Sequence, residues 1–265
     1  PYECDVTFSG SPDDVRAGLL SGELDIAAVP VNMAAALYNK TGGEILTAAA
    51  NTLGVLYIVE KGDTVQSMAD LAGKKILAAG QGSTPEYVIN YLLEKNGLTD
   101  SVEVEYVSEH AEAVTQMAAG GADLILVPEP FVTTALSKVE GARVALDLTQ
   151  EWAKVSDADM VMGCLVVSKA FAEADPQALR HFMTQYAVSA DYCTSHPAEA
   201  AALIEKFGIM GSAALAEKAI PNCNIVCVTG QEMVDMVTGM LTVLFDANPK
   251  SVGGSLPGEE MFYLG

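Results

Sequence analysis

Two stretches of this chain repeat one another at a spacing of 98 residues. Gly22-Glu23-Leu24-Asp25-Ile26-Ala27-Ala28-Val29-Pro30 falls on Gly120-Gly121-Ala122-Asp123-Leu124-Ile125-Leu126-Val127-Pro128, with Gly, Asp, Val and Pro at the same places and aliphatic residues between. The register continues without a gap. Lys40 falls on Lys138, Gly43 on Gly141, and Ile45 to Asn51 on Arg143 to Thr149, while upstream Val6 and Phe8 fall on Val104 and Tyr106. A period this long, present twice, signals two copies of one supersecondary unit and removes most single-core folds from consideration.

Each copy reads as alternating strands and helices. In the second, Lys75 to Ala79 is a short apolar run ending at Gly80, and Pro85 to Lys95 sets Val88, Leu92 and Lys95 on one helical face before Asn96-Gly97. Then follow a strand at Val102 to Val107, a helix at Ala111 to Ala119, an apolar strand at Asp123 to Val127, a helix at Phe131 to Val139 and a strand at Arg143 to Leu148. Continuous apolar strands between helices imply parallel sheets covered on both faces, hence two α/β lobes. Gly54 to Val59 and Gly163 to Val167 read as crossings between them, the second delayed by an insertion around Gln150 to Met160. The lobes are then residues 1–53 plus 164–265, and 54–163. Helices are expected at Pro176 to Ser189, Pro197 to Phe207, Ala213 to Ala219 and Gln231 to Leu244, packed back on the first lobe, with an irregular tail from Pro249 to Gly265. Applied to residues 74 to 99, the repeat finds no counterpart in the first lobe. A longer native chain is therefore expected, with a further strand between strands at Val6 and Ile26.

Composition narrows the function. With 35 Asp and Glu against 14 Lys and Arg, the net charge of −21 repels phosphate backbones, so nucleic acid is not an expected partner. The apolar stretch from Ile45 to Val59 is interrupted at Asn51 and Gly54 and is too short to span a bilayer. Cys4, Cys164, Cys193, Cys223 and Cys227 read as small apolar side chains; only Cys223 and Cys227 are spaced to bridge.

In open α/β sheets, ligands bind outside the carboxyl ends of the strands. The rule selects Gly80-Gln81-Gly82-Ser83-Thr84-Pro85, Ser108-Glu109-His110 and Pro128-Glu129-Pro130 in one lobe, and Ser9-Gly10-Ser11, Pro30-Val31-Asn32 and Asn51-Thr52 in the other. Gly80 and Gly82 permit close backbone approach, Ser83 or Thr84 offers an N-cap hydroxyl, and Pro85 suits a first helical turn. The segment either holds an oxygen of a ligand or is an ordinary capped helix. Glu129, between two prolines, either accepts ligand N–H groups or caps the next helix, and Glu109 with His110 lies at the neighbouring strand end. Trp152 either lines the cleft or closes the core. His110, His181 and His196 lack metal-ligand spacing, and Cys193 with His196 is a poor nucleophile and base pair, so no metal site, cofactor or catalytic residue is expected.

Pro30-Val31-Asn32, Asn51 to Tyr57, Gly80 to Tyr87 and Pro128 to Phe131 together resemble the substrate-binding proteins of ABC importers in the sulfonate, nitrate, taurine and thiamine-pyrimidine-precursor group. The resemblance implies a type II periplasmic-binding-protein fold, two lobes with a hinge and a ligand cleft, in a monomer that is periplasmic or lipid-anchored outside the cell membrane. Its partners would be a small-molecule ligand and a membrane permease. Two relatives of that fold are set aside: fungal pyrimidine synthases, whose cysteine-rich run is missing, and LysR-type effector domains, which adjoin a helix-turn-helix. The expected ligand-binding set is Pro30, Asn32, Asn51, Thr52, Gly80, Gln81, Gly82, Ser83, Thr84, Glu109, His110, Glu129 and Trp152, with Tyr38, Tyr57 and Tyr87 as further stacking surfaces. Because these loops carry acids and no Arg or Lys, a neutral or cationic heteroaromatic amine, such as an aminopyrimidine, is expected, with a sulfonate or nitrate anion as the alternative.

Overall fold

The computed structural model describes residues 2–9 and 11–265; Gly10, and with it the middle of the Ser9 to Ser11 loop, lies outside them. The chain opens with helix α1 (Pro12–Ser21), then β1 (Ile26–Pro30), α2 (Val31–Thr41), β2 (Ile45–Thr52) and β3 (Leu56–Lys61). It continues with β4 (Lys75–Ala78), α3 (Thr84–Lys95), β5 (Glu103–Tyr106), α4 (His110–Ala118), β6 (Leu124–Pro128), α5 (Phe131–Lys138), β7 (Ala142–Asp147) and α6 (Leu148–Ala153). The last third holds β8 (Gly163–Ser168), α7 (Lys169–Ala174), α8 (Pro176–Ser195), α9 (Pro197–Lys206), α10 (Ala213–Ala219), β9 (Ile225–Val228) and α11 (Gly230–Ala247). The 98-residue repeat is structural: shifted by that spacing, β1 falls on β6 end to end, and the start of α1 at Pro12 falls on the start of α4 at His110.

The strands form two sheets, ordered β1-β8-β2-β9 and β5-β4-β6-β3-β7. The first is antiparallel throughout and the second is mixed, which corrects the expectation of parallel sheets. β8 runs antiparallel between β1 and β2, with Ile26 opposite Val167 and Ile45 opposite Ser168. β3 runs antiparallel between β6 and β7, with Leu56 opposite Pro128 and Tyr57 opposite Asp147. Each crossing segment thus becomes an interior strand of the sheet it enters. Burial on both faces had made the strands read as parallel, but an interior antiparallel strand is covered in the same way, so Leu56, Ile58 and Val59 are wholly buried and equally apolar.

Residues 2–9 form no strand, contrary to the reading at Val6, and Val6 and Phe8 are 67% and 66% exposed. β1 has a partner on one side only, β8, whereas its counterpart β6 lies between β4 and β3. β9 had no clear sequence signal, being four residues long and half-buried throughout. α8 runs six residues past the expected Ser189, because no breaker occurs before His196-Pro197. The tail helices are not confined to one lobe. α11 buries Met233, Val237, Met240 and Leu241 in the core shared by α2 and α3, and α10 packs against α5.

Both crossings are tight. A Cβ on Gly54, just ahead of β3, would lie 2.1 Å from Thr149 Oγ1, and one on Gly163, at the head of β8, would lie 2.6 Å from Asn51 Oδ1. Asn51 and Thr149 are the same position of the repeat. Gly54→Ala is therefore expected to destabilise by about 1–3 kcal/mol through overpacking, measured by urea unfolding. Because the clash is with Thr149, Gly54→Ala combined with Thr149→Ala is expected to cost less than the sum of the two single changes.

Candidate functional site

The turn after β1 meets the turn after β4, and the side chains there are tied together. Asn32, in the first turn of α2 and 5% exposed, donates from Nδ2 to Gly82 O at 3.4 Å and Ser251 O at 3.3 Å. Its Oδ1 accepts from the hydroxyl of fully buried Thr84 at 3.0 Å. Gly80 and Gly82 have φ of 85° and 76°, left-handed values that make glycine the natural residue at both.

The hydroxyls do not cap α3, which corrects that expectation. Ser83 donates to Gly80 O at 2.8 Å, Thr84 is committed to Asn32, and no side chain caps the helix. Instead Glu86 accepts from the Gly82 N–H, so this turn's anion-facing donor is satisfied by a carboxylate of the same helix. Gln81 is exposed and Pro30 half-buried at the start of α2. In the same strand-end layer Asn51 is buried, donating to the Tyr186 hydroxyl at 3.3 Å and accepting from Thr52 at 3.2 Å.

Glu129 is 8% exposed and accepts from the Thr133 N–H and Thr133 hydroxyl, each at 3.0 Å, so it caps the first turn of α5. Burial pushes its carboxyl above the usual range against the pull of those two bonds. Beside it opens a cavity of about 400 Å³ whose lining includes Tyr57, Thr133, Val144, Lys218 and Asn222. Burial, then the charges of Asp147, Glu129 and Cys223, push the Tyr57 phenol up to about 12. Lys218 and Asn222, from α10 and the turn after it, were not foreseen; nothing in a solvated helix signals which other surface it meets. Asn224 was also missed. It takes a left-handed φ of 45°, accepts the Leu53 N–H at 3.1 Å and donates to Gly54 O, holding the first crossing.

His110 stands in the first turn of α4 with its ring 5.4 Å from that of Phe131, and its Nδ1 is buried with no partner among the described residues. Burial pushes it down to about 4, so it is a neutral imidazole at pH 7. Glu109 is exposed and makes no capping bond. Trp152 belongs to the core, correcting its place in the cleft: it is 1% exposed, donates from Nε1 to Ala158 O at 2.7 Å and lies 4.8 Å from the Tyr91 ring. Tyr38 faces Gly43 and Glu260, and Tyr87 packs partly into the main core, so of these three tyrosines Tyr57 alone lines the cavity beside Glu129.

Two α/β halves exchanging a strand each and meeting at their strand ends define a two-lobed binding protein of the periplasmic type. The chain belongs to the family of the ABC transporter phosphonate periplasmic substrate-binding protein, whose profile matches residues 1–219. Comparison with curated proteins finds no match. A crystal structure of an ABC transporter protein from Parabacteroides distasonis is 28% identical, with a TM-score of 0.77 over 96% of this chain and 85% of that one. The periplasmic aliphatic sulphonate binding protein SsuA from Escherichia coli is 15% identical, with a TM-score of 0.75 over 96% of this chain and 80% of its own. The alkanesulfonate-binding protein SsuA from Xanthomonas axonopodis pv. citri, bound to MOPS, is 16% identical, with a TM-score of 0.70 over 94% and 82%. The protein is thus a substrate-binding component of an ABC importer. The family places it outside the cytoplasm, and among the described residues no helix is long and apolar enough to cross a membrane.

His110 makes stability pH-dependent. Its folded value of about 4 lies below the ordinary 6.5, so the unfolded chain binds the proton first and stability falls as pH drops through that window. The loss attributable to His110 is at most about 3 kcal/mol by pH 4. Urea unfolding at pH 7 and pH 4.5 is expected to show a smaller difference for His110→Phe than for the parent chain. Glu129, shifted the other way, contributes equally to both proteins.

Proposed function

We propose that this protein captures a small amine-bearing solute, neutral or cationic and of the heteroaromatic-amine kind, between its lobes and presents it to the importer's membrane permease. One observation carries the ligand class: at the end of β6 a buried carboxylate, Glu129, lines one cavity with the Tyr57 ring. A carboxylate that already accepts two bonds from Thr133 keeps further lone pairs for ligand N–H groups, and charge-assisted bonds of that kind are the strong ones. Tyr57 supplies an aromatic wall to the same cavity. A fully dissociated anion there faces the Glu129 carboxylate, and Gly82 N–H is already engaged by Glu86.

A second reading, capture of an organic anion such as a sulfonate or phosphonate, is favoured by Lys218 in the lining of the same cavity, by the family description and by the names of the two SsuA proteins. Titration calorimetry against aminopyrimidines, alkanesulfonates, alkylphosphonates and nitrate separates the two. On the first reading an amine binds tightest, and Glu129→Gln weakens it at least tenfold. Tight binding of a simple anion, unchanged or improved by Glu129→Gln, refutes it.

Closure of the two lobes on the solute is expected, bending at the β2–β3 and α6–β8 connections. Small-angle scattering is expected to show a smaller radius of gyration at saturation; an unchanged radius contradicts closure.

A further inference from the structure

We propose that Cys193 and Cys223 are the two halves of a disulfide that closes α9 and α10 into one loop and fastens α8 to the segment bordering the cavity beside Glu129. The bridge is a property of the chain itself and is independent of which solute is bound. Both cysteines are free thiols in this structure and neither is fully buried. Both border one turn. Cys193, in the last turn of α8, packs on the cluster of Ala200, Ala216 and Ile220, and Cys223 follows the turn Ile220–Asn222 and donates from Sγ back to Ala219 O at 3.3 Å. Burial, then the charges of Glu129 and Cys193, push the Cys223 thiol up to about 12, as expected of a group close to both.

The register of α8 selects the pair. This helix packs along β9 and against the turn that precedes it. Tyr186 lies beside β9: burial, set against its bond from Asn51, and then the charge of Cys227 push its phenol up. Two helical turns further on, ~10 Å along the axis, Cys193 reaches the turn that ends in Cys223. Cys227 is thus matched with Tyr186 and Cys223 with Cys193, which holds Cys223 and Cys227 two turns apart, whereas bridged cysteines have Cα atoms within ~7 Å. The bridge between Cys223 and Cys227 that sequence spacing suggests gives way to one with Cys193. Cys223 also stands between Asn222, which lines the cavity, and Asn224, which holds the first crossing at Leu53 and Gly54, so the bridge ties both to α8.

The family places the chain outside the cytoplasm, where disulfide oxidants act on thiols. With such a disulfide as oxidant, the Cys193 thiolate attacks one of its sulfurs, forming a mixed disulfide and expelling one thiolate. The Cys223 thiolate then attacks the Cys193 sulfur, forming the internal bond and expelling the second. The two cysteines together lose two electrons and two protons, and the oxidant leaves as two thiols. Burial pushes Cys193 up as well as Cys223, so exchange proceeds through minor thiolate forms and quickens as pH rises.

The full chain, reduced and then treated in its folded state with oxidised glutathione at mildly alkaline pH, tests this by intact mass and by peptide mapping without reductant. The mass is expected to fall by two hydrogens, with the peptides of Cys193 and Cys223 joined, in the parent chain and in Cys227→Ser alike. The oxidised chain is expected to unfold at a higher urea concentration than the reduced one, because the bridge restricts the unfolded chain, and added reductant is expected to remove the difference. Cys193→Ser and Cys223→Ser, compared with the reduced parent for folding, are expected to show neither the joined peptides nor the shift. A joined Cys223 and Cys227 pair overturns the proposal. So do glutathione adducts on both Cys193 and Cys223 with no internal bond, or a folded chain that loses no hydrogens.

Discussion

Everything in this molecule depends on the exchange of one strand between two otherwise similar sheets. β3 leaves the first half to lie antiparallel between β6 and β7, and β8 returns to lie antiparallel between β1 and β2. Each exchanged strand is bonded on both edges, so neither half has a complete interior without a segment of the other. The exchange also aims the two sets of strand ends at each other, because β2 runs directly into β3 and must reverse its sense relative to the second sheet. Asn32, Thr84, Asn51 and Glu129 come from four separate segments and share one layer for that reason alone.

The fold was legible where a pattern is repeated and obscured where it is used once. The motif from Gly22 to Pro30, read against Gly120 to Pro128, located β1 and β6, the latter within one residue at each end, because burial and turn chemistry are alike in both copies. Strand direction was not legible, since Leu56 to Val59 is apolar whichever way it runs. Val6 and Phe8 have the alternation of a half-buried strand, yet a strand needs a neighbour, and alternation says nothing of whether one is there. Trp152 was ambiguous for a similar reason: a large amphipathic ring suits a cleft as well as a core, and the deciding contact, its bond to Ala158 O, lies in an irregular loop.

The candidate site was half legible. Strand-end geometry selected Asn32, Thr84 and Glu129 without knowledge of their partners. What it missed was how far those groups satisfy one another. The Gly80 to Thr84 turn looks like an anion cradle in one dimension, but Glu86 closes it from within. Lys218 and Asn222 were invisible because they lie nearly a hundred residues from Glu129 in sequence, on a helix whose outer face reads as solvated. The meeting of Glu129 with Lys218 and Asn222 around one cavity is therefore a tertiary event that no local motif encodes.

The two glycines at the crossings have a mechanical consequence. Gly54 passes under Thr149 and Gly163 under Asn51, so the same repeat position presses on each connection where it enters its new sheet. Two connections, each clamped at its head, act like the two pins of a door: together they fix an axis and leave rotation about it as the soft coordinate, whereas a single linker would also permit swivelling. The separation of the lobes then reduces to one angle. On the closure proposed above, a bound solute sets the value of that angle, and a partner in the membrane would need to sense nothing else to distinguish a loaded protein from an empty one.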